Sequence, residues 1–288
     1  DVAVTGGQPG AFTSFFGPDP ANLLGVVVLT SLGTCGLPQM IGKFYAIKDE
    51  KSINTGTVIS TVFAIVVSGG CYFLGGFARL FDSPAIYDEA TGAVVYDSMI
   101  PYMLSTLPDI LIGIVVLLVL SASMSTLSSL VLPSSSTLTL DLLKDNVIKK
   151  MSEKKQIVTM QLLIVFFIVV SVVIALDPPT FIAQLMGISW GALAGAFLAP
   201  FLYGLYWKGV TKAGVWAGFI AGIGITVSNM FIGYIESSIN AGAVAMVAGL
   251  IVVPVVSFIT PKMKREKADE IFMCYEEKVT ITKKRSLQ

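Results

Sequence analysis

The chain of 288 residues alternates long apolar runs with short charged loops. Seven runs stand out, at residues 22–42, 56–78, 110–140, 156–176, 181–207, 214–232 and 241–259, and none contains Asp, Glu, Lys or Arg. Each is close to the roughly 20 apolar residues that carry a helix across about 30 Å of hydrocarbon. The pattern therefore predicts an all-α integral membrane protein of seven spans. Between them lie an opening Gly- and Pro-rich loop (1–21), an acidic loop (79–108) and a charged tail (260–288) expected to be a solvated, partly helical extension. Within the acidic loop, Pro101-Tyr102-Met103-Leu104 reads as surface loop rather than a short interfacial helix.

Three of the runs are not uniform. The first is interrupted by Gly33-Thr34-Cys35-Gly36-Leu37-Pro38, where two glycines and a proline oppose a continuous helix. Either the span is broken, with backbone groups freed at mid-membrane depth, or it is a proline kink that neighbouring helices re-satisfy. The third run would reach roughly 46 Å as a helix, more than the bilayer requires. Its middle reads Ser121-Ala122-Ser123-Met124-Ser125-Thr126-Leu127-Ser128-Ser129, which is too polar for lipid contact alone. Ala122, Ser125, Thr126 and Ser129 recur at i, i+3, i+4 and i+7 and so share one face. Pro133 leaves the carbonyl of Ser129 without its helical amide. Such a face suits close helix packing with hydroxyls bonded back to their own helix, or a small hard cation that takes oxygen ligands; spacing leaves both open. The fifth run, with Gly187, Gly191, Ala192, Ala194, Gly195 and Ala196, is built for close helix contact, and so are Gly69-Gly70 and Gly75-Gly76 of the second. The fourth run is uniformly apolar and is assigned a structural role.

Composition narrows the function. The chain is 54% hydrophobic and 13% charged, with 19 basic and 19 acidic residues, which excludes an ordinary soluble domain and offers nothing to a nucleic acid. With no histidine, a Ser-His-Asp triad, a histidine–zinc site and a histidine proton relay are all ruled out within this chain. Three scattered cysteines suggest neither a disulfide framework nor a metal cluster. Of the 19 Lys and Arg residues, all but Arg79 fall on one side of the seven spans. The positive-inside rule then predicts residue 1 outside and the tail in the cytoplasm of a multi-pass plasma-membrane protein. A chain starting outside without a leader reads as the later part of a longer protein, its missing N-terminal half supplying earlier spans.

Three patches resemble the sodium/solute symporter family, which includes proline, pantothenate and acetate permeases. Ser31-Leu32-Gly33-Thr34-Cys35-Gly36-Leu37-Pro38 with Lys43-Phe44 resembles its broken helix, although Gln39 stands where many members carry a histidine. Ala122-Ser123-Met124-Ser125-Thr126-Leu127-Ser128, followed by Ser134-Ser135-Ser136-Thr137-Leu138-Thr139 and Asp141, is similar to its ion-binding helix. Ile188-Ser189-Trp190-Gly191-Ala192-Leu193-Ala194-Gly195-Ala196-Phe197, through Tyr206-Trp207-Lys208 and Thr211-Lys212-Ala213-Gly214, is similar to its glycine-rich helix and the following loop. The resemblance implies the second five-helix half of an inverted-repeat transporter (22–207) plus two added C-terminal spans (208–259) and a cytoplasmic tail (260–288).

It further implies sodium as coupling ion, held by the Ala122 carbonyl and the Ser125 and Thr126 hydroxyls. Substrate contacts would come from Gly33, Thr34, Gly36 and Gln39, and from Gln184 and Trp190. The implied activity is sodium-driven symport of a small organic solute, such as proline, a monocarboxylate or a pantothenate-like molecule, by alternating access. Proton coupling would need an ionisable residue that these spans lack, so it would rely on the missing half. A transporter-like sensor is the other alternative, while an enzyme with a serine nucleophile lacks a base.

Overall fold

The computed structural model describes residues 14–44, 47–81, 83–88, 91–92, 94–148, 151–178 and 181–275. Among them the chain is helical, without strands; one isolated antiparallel bridge joins Tyr87 to Val94. The seven expected spans correspond to six long apolar helices and one bent pair. The bent pair is α1 (Pro20–Gly36) and α2 (Pro38–Phe44), which meet at 52°. The long helices are α3 (Glu50–Phe77), α5 (Asp109–Thr137), α6 (Glu153–Leu176), α7 (Ile182–Tyr206), α8 (Lys212–Ile232) and α9 (Ser238–Ile259). Two short helices, α4 (Tyr96–Ser105) and α10 (Arg265–Phe272), lie between and after them. The protein is thus a multi-pass membrane protein, and its sequence reading as all-α holds.

The chain folds as two compact units, residues 43–182 and residues 1–42 with 183–288. In the second of these, α7, α8 and α9 approach so closely that glycine replaces side chains at the contacts. A Cβ built on Gly191 would lie 2.5 Å from the Gly242 Cα, and one on Gly187 would lie 2.9 Å from the Ile239 amide nitrogen. One on Gly222 would overlap the backbone of Gly195. Van der Waals packing of this kind is the main attraction between helices in lipid, where apolar burial contributes little. Leu29, Ala194, Leu198, Ile239 and Met246 form the core between α1, α7 and α9. The α8–α9 turn is closed by Asn229, whose Nδ2 donates to the Ile235 carbonyl (3.0 Å) while its Oδ1 accepts from the Ile235 amide (2.7 Å). Gly233 beside it takes the left-handed φ of +69° that ends many helices.

In the other unit α5 runs unbroken through Pro133 and continues as a π-helical stretch from Leu138 to Val147. Val131, Ser135 and Thr139 are its buried residues, at i, i+4 and i+8, while residues 116–130 are exposed throughout. Two expectations fail here. A Cβ on Gly69, Gly70, Gly75 or Gly76 would meet nothing within 4 Å, because α3 is exposed along its length; these glycines make no close helix contact among the described residues. Residues 101–104 are helical rather than loop, since α4 begins before Pro101. That helix is pinned from outside: Asp97 Oδ2 accepts a hydrogen bond from the Ile182 amide (3.1 Å), and the rings of Tyr96 and Phe181 lie 5.4 Å apart.

The charged tail is partly helical and mostly exposed, as expected, and it is also tied back to α7. Lys208 after α7 donates to Asp269 Oδ1 at 2.7 Å, and the Tyr275 hydroxyl donates to the Leu205 carbonyl at 3.0 Å. The α10 helix is therefore clasped to the end of α7. The hydrogen bond and positive charge of Lys208 hold the Asp269 carboxyl below its ordinary range.

Candidate functional site

The break in the first span is a real interruption of helix. Leu37 is extended, with φ −76° and ψ 124°, and its carbonyl accepts from the Met40 amide at 2.9 Å to start α2. Pro38 has no amide to offer the Thr34 carbonyl, four residues before it. Of the expected substrate residues, Gly33 and Gly36 are buried on the packed face of α1. A Cβ on Gly33 would stand 3.2 Å from Met246 Cε and 3.3 Å from Trp190 Cε3, and one on Gly36 would stand 2.8 Å from Leu198 Cβ. The structure thus brings Gly33 and Trp190 together. Thr34 is half-buried and donates its hydroxyl to the Thr30 carbonyl at 2.6 Å; Gln39 on α2 and Gln184 on α7 are also half-buried.

Met246 and Leu198 complete this wall, and the sequence reading missed both. The missed signal was the run Gly242, Ala245, Met246 and Gly249 at i, i+3, i+4 and i+7, the same pattern that marked the central span.

The central span presents the other half of the expectation. Ala122, Ser125 and Thr126 are all exposed on α5. The Thr126 hydroxyl donates to the Ala122 carbonyl at 3.0 Å, and Ser129 donates to Thr126 O at 2.8 Å. Ser128, Ser134 and Ser135 likewise return to carbonyls four residues earlier. Back-bonding of this kind is what helix packing alone would produce. It is equally compatible with a cation, because each oxygen retains lone pairs. Two oxygens bound to one hard cation at about 2.4 Å lie roughly 3 Å apart, the spacing seen here. Ser125 Oγ forms no hydrogen bond with the described residues, so the third oxygen on this face is uncommitted. Pro133 frees the Ser129 carbonyl one turn further on.

The sequence model described as Sodium:solute symporter family matches residues 10–222. Similar proteins include the osmoregulated proline transporter OpuE of Bacillus subtilis, 28% identical over 77% of this chain and 45% of that protein. The sodium/pantothenate symporter of Haemophilus influenzae is 30% identical over 68% of this chain and 40% of its own length. A sodium/proline symporter of Staphylococcus aureus is 27% identical over 85% of this chain and 49% of its own. The matched region therefore spans less than half of each of these relatives. No solved structure matches the chain.

Proposed function

Because this chain belongs to the sodium:solute symporter family, we propose that it forms the later half of a sodium-coupled symporter for a small organic solute. In this reading residues 22–207 are the second repeat, residues 208–259 the added spans, and the missing N-terminal half completes both ligand sites. The Ala122 carbonyl and the hydroxyls of Ser125 and Thr126 hold sodium. The single observation that carries the proposal is the 3.0 Å pair of Ala122 O and Thr126 Oγ1 beside the uncommitted Ser125 hydroxyl, on an exposed face of a span without charges. A monovalent cation fits neutral oxygens here, and no buried carboxylate is needed to receive it.

Substrate would meet the broken span at Gly33, Thr34, Gly36 and Gln39, with Gln184 and Trp190 on α7. Gly33 and Gly36, buried against Met246, Trp190 and Leu198, contribute by letting α1 pack closely, while Pro38 leaves the Thr34 carbonyl without its helical amide at the break. Proline-like and pantothenate-like solutes are the substrate classes the relatives' names suggest. Alternating access follows from coupling: sodium orders the outward state, and its release to the cytoplasm relaxes the inward state. Such coupling is typically about 1–3 kcal/mol. With residue 1 outside and the tail in the cytoplasm, a membrane potential of about 100 mV adds roughly 2.3 kcal/mol for each sodium moved inward.

The test needs no knowledge of the substrate. The thermal midpoint of the purified full-length protein is followed against sodium, with choline or potassium holding ionic strength, in wild type and in Ser125→Ala/Thr126→Ala. Sodium at ten times its Kd adds about 1.4 kcal/mol to the folded state. The wild-type midpoint should rise by a few degrees with sodium alone, and the double variant should not respond. Equal response to sodium and potassium, or a response retained by the variant, would show that these hydroxyls serve helix packing only.

A further inference from the structure

We propose that the joined ends of α7, α8 and α9, together with α10, form a binding surface for the headgroups of anionic phospholipids. The inference rests on the membrane-spanning fold and is independent of which ion drives transport.

The surface begins with a polar knot that joins the start of α8 to the end of α9. Thr211 and Thr260 share a hydroxyl hydrogen bond of 2.6 Å, the Thr211 amide donates to Ser257 Oγ at 3.2 Å, and the Gly214 amide donates to Thr211 Oγ1 at 3.1 Å. Around this knot lie Lys208, Lys212, Lys262, Lys264, Arg265 and Lys267, all exposed. Only Lys208 has a carboxylate at ion-pair distance among the described residues; Arg265 also acts on Asp269 electrostatically, and Glu266 and Glu270 share its helix, so the cations outnumber the acidic groups here without being free of them. Two of the cations sit where helix electrostatics opposes them: Lys212 is the first residue of α8 and Arg265 the first of α10. A helix N-terminus is itself positive, so cations there raise the field toward an anion rather than stabilise the helix.

Next to the cations is an amphipathic layer. Tyr206, Phe258 and Ile259 are exposed at the ends of α7 and α9, and Ile271, Met273 and Tyr275 are exposed on the tail. Lys262 lies 5.8 Å from the Phe258 ring centre and Lys208 lies 5.6 Å from that of Phe272. Aromatic rings bordered by cations are the arrangement of a membrane–water interface, where rings sit at headgroup depth and ammonium groups reach phosphates. The clasp of Lys208 and Tyr275 onto Asp269 and Leu205 keeps α10 in that layer. Lipid, rather than an acidic protein, fits because the cations adjoin exposed apolar side chains at the ends of spanning helices.

The experiment places the full-length protein in nanodiscs of phosphatidylcholine, or of equal parts phosphatidylcholine and phosphatidylglycerol, and measures how strongly fluorescent phosphatidylglycerol associates at its boundary relative to fluorescent phosphatidylcholine. Wild type is compared with Lys212→Gln/Lys262→Gln/Lys264→Gln/Arg265→Gln/Lys267→Gln, in which Lys208 and the clasp are kept, and with Lys144→Gln/Lys154→Gln/Lys155→Gln as a charge control. With each cation near an anionic surface worth roughly a fivefold change in partition, wild type should prefer phosphatidylglycerol about tenfold or more, and the five-site variant should lose most of that preference. The control should keep it, and high salt should weaken it. A variant replacing the four lysines by arginine retains charge and should retain the preference, which guards against misfolding of the neutralised protein. No preference in wild type, its persistence in the five-site variant, its loss in the arginine variant, or equal loss in the control would each overturn the proposal.

Discussion

Gly191→Ala tests whether the α7–α8–α9 bundle is held by close approach. The new methyl would lie 2.5 Å from the Gly242 Cα and 3.2 Å from Thr226 Oγ1, whereas carbon atoms rest at about 3.5–4.0 Å. The nearest obstacle is backbone, so no side-chain rotation relieves it, and the helices must part by roughly 1 Å at this level. Overpacking of that kind costs about 1–3 kcal/mol, and the upper end applies where backbone must move. Alanine returns about 1 kcal/mol through its better helix propensity, leaving a net loss of about 2 kcal/mol. At about 2–4 °C per kcal/mol, the thermal midpoint of the detergent-solubilised full-length protein should fall by roughly 4–8 °C. Tryptophan fluorescence reports the transition, since Trp190 lies against this bundle. Gly224→Ala on α8 is the matched control, because a Cβ there meets nothing within 4 Å; its midpoint should hold or rise slightly. If Gly191→Ala and Gly224→Ala behave alike, close glycine packing does not hold these helices together.

Further outcomes follow from local geometry. Thr211→Val removes a buried hydroxyl that serves the Gly214 amide and Thr260, and should destabilise the protein by about 1–3 kcal/mol in the same melt, whereas Thr211→Ser should lose far less. Pro38→Ala supplies the amide that the Thr34 carbonyl lacks and should straighten the 52° bend, so that solute uptake by the full-length protein falls at least about tenfold with membrane expression unchanged. Asp49 caps α3 by accepting from the Ser52 hydroxyl (2.7 Å) and amide (2.8 Å), and these bonds hold its carboxyl below the ordinary carboxylate range. Because the folded value is the lower one, its support is complete above the unfolded value of about 3.9 and is lost as pH falls through the folded value. Hydrogen exchange at the first turn of α3, corrected for intrinsic rate, should therefore be flat from neutrality to about pH 4 and accelerate below it, and Asp49→Ala should exchange fast throughout.

Much of the fold was legible because a bilayer imposes one strong rule, that apolar segments of sufficient length become helices with every backbone group paired internally. Hence the spans and an interruption at Gly33 to Pro38 were readable from residue type, whereas the choice between a broken span and a proline kink was made only by the structure, which bends the pair by 52°. The glycines show the limit. Gly191 and Gly69 look alike in sequence, yet the first touches the Gly242 backbone and the second meets nothing, since a close contact belongs to two helices and only one is visible in a local pattern. Pro101 was misjudged for a related reason: α4 is anchored by Asp97 and Tyr96 to residues about 85 positions away. The tail is a third case, because the partners of Asp269 and Tyr275 are Lys208 and Leu205.

The sequence by itself determined the membrane class, the seven apolar segments, the asymmetry of charge across them and the oxygen-rich face of the central span, all of which depend on residue type and short-range periodicity. Only the tertiary structure decided which small residues are contacts, that Met246 and Leu198 wall the broken span, and that the tail returns to the end of α7. Those features depend on distances between segments remote in the chain, and no local pattern encodes such distances.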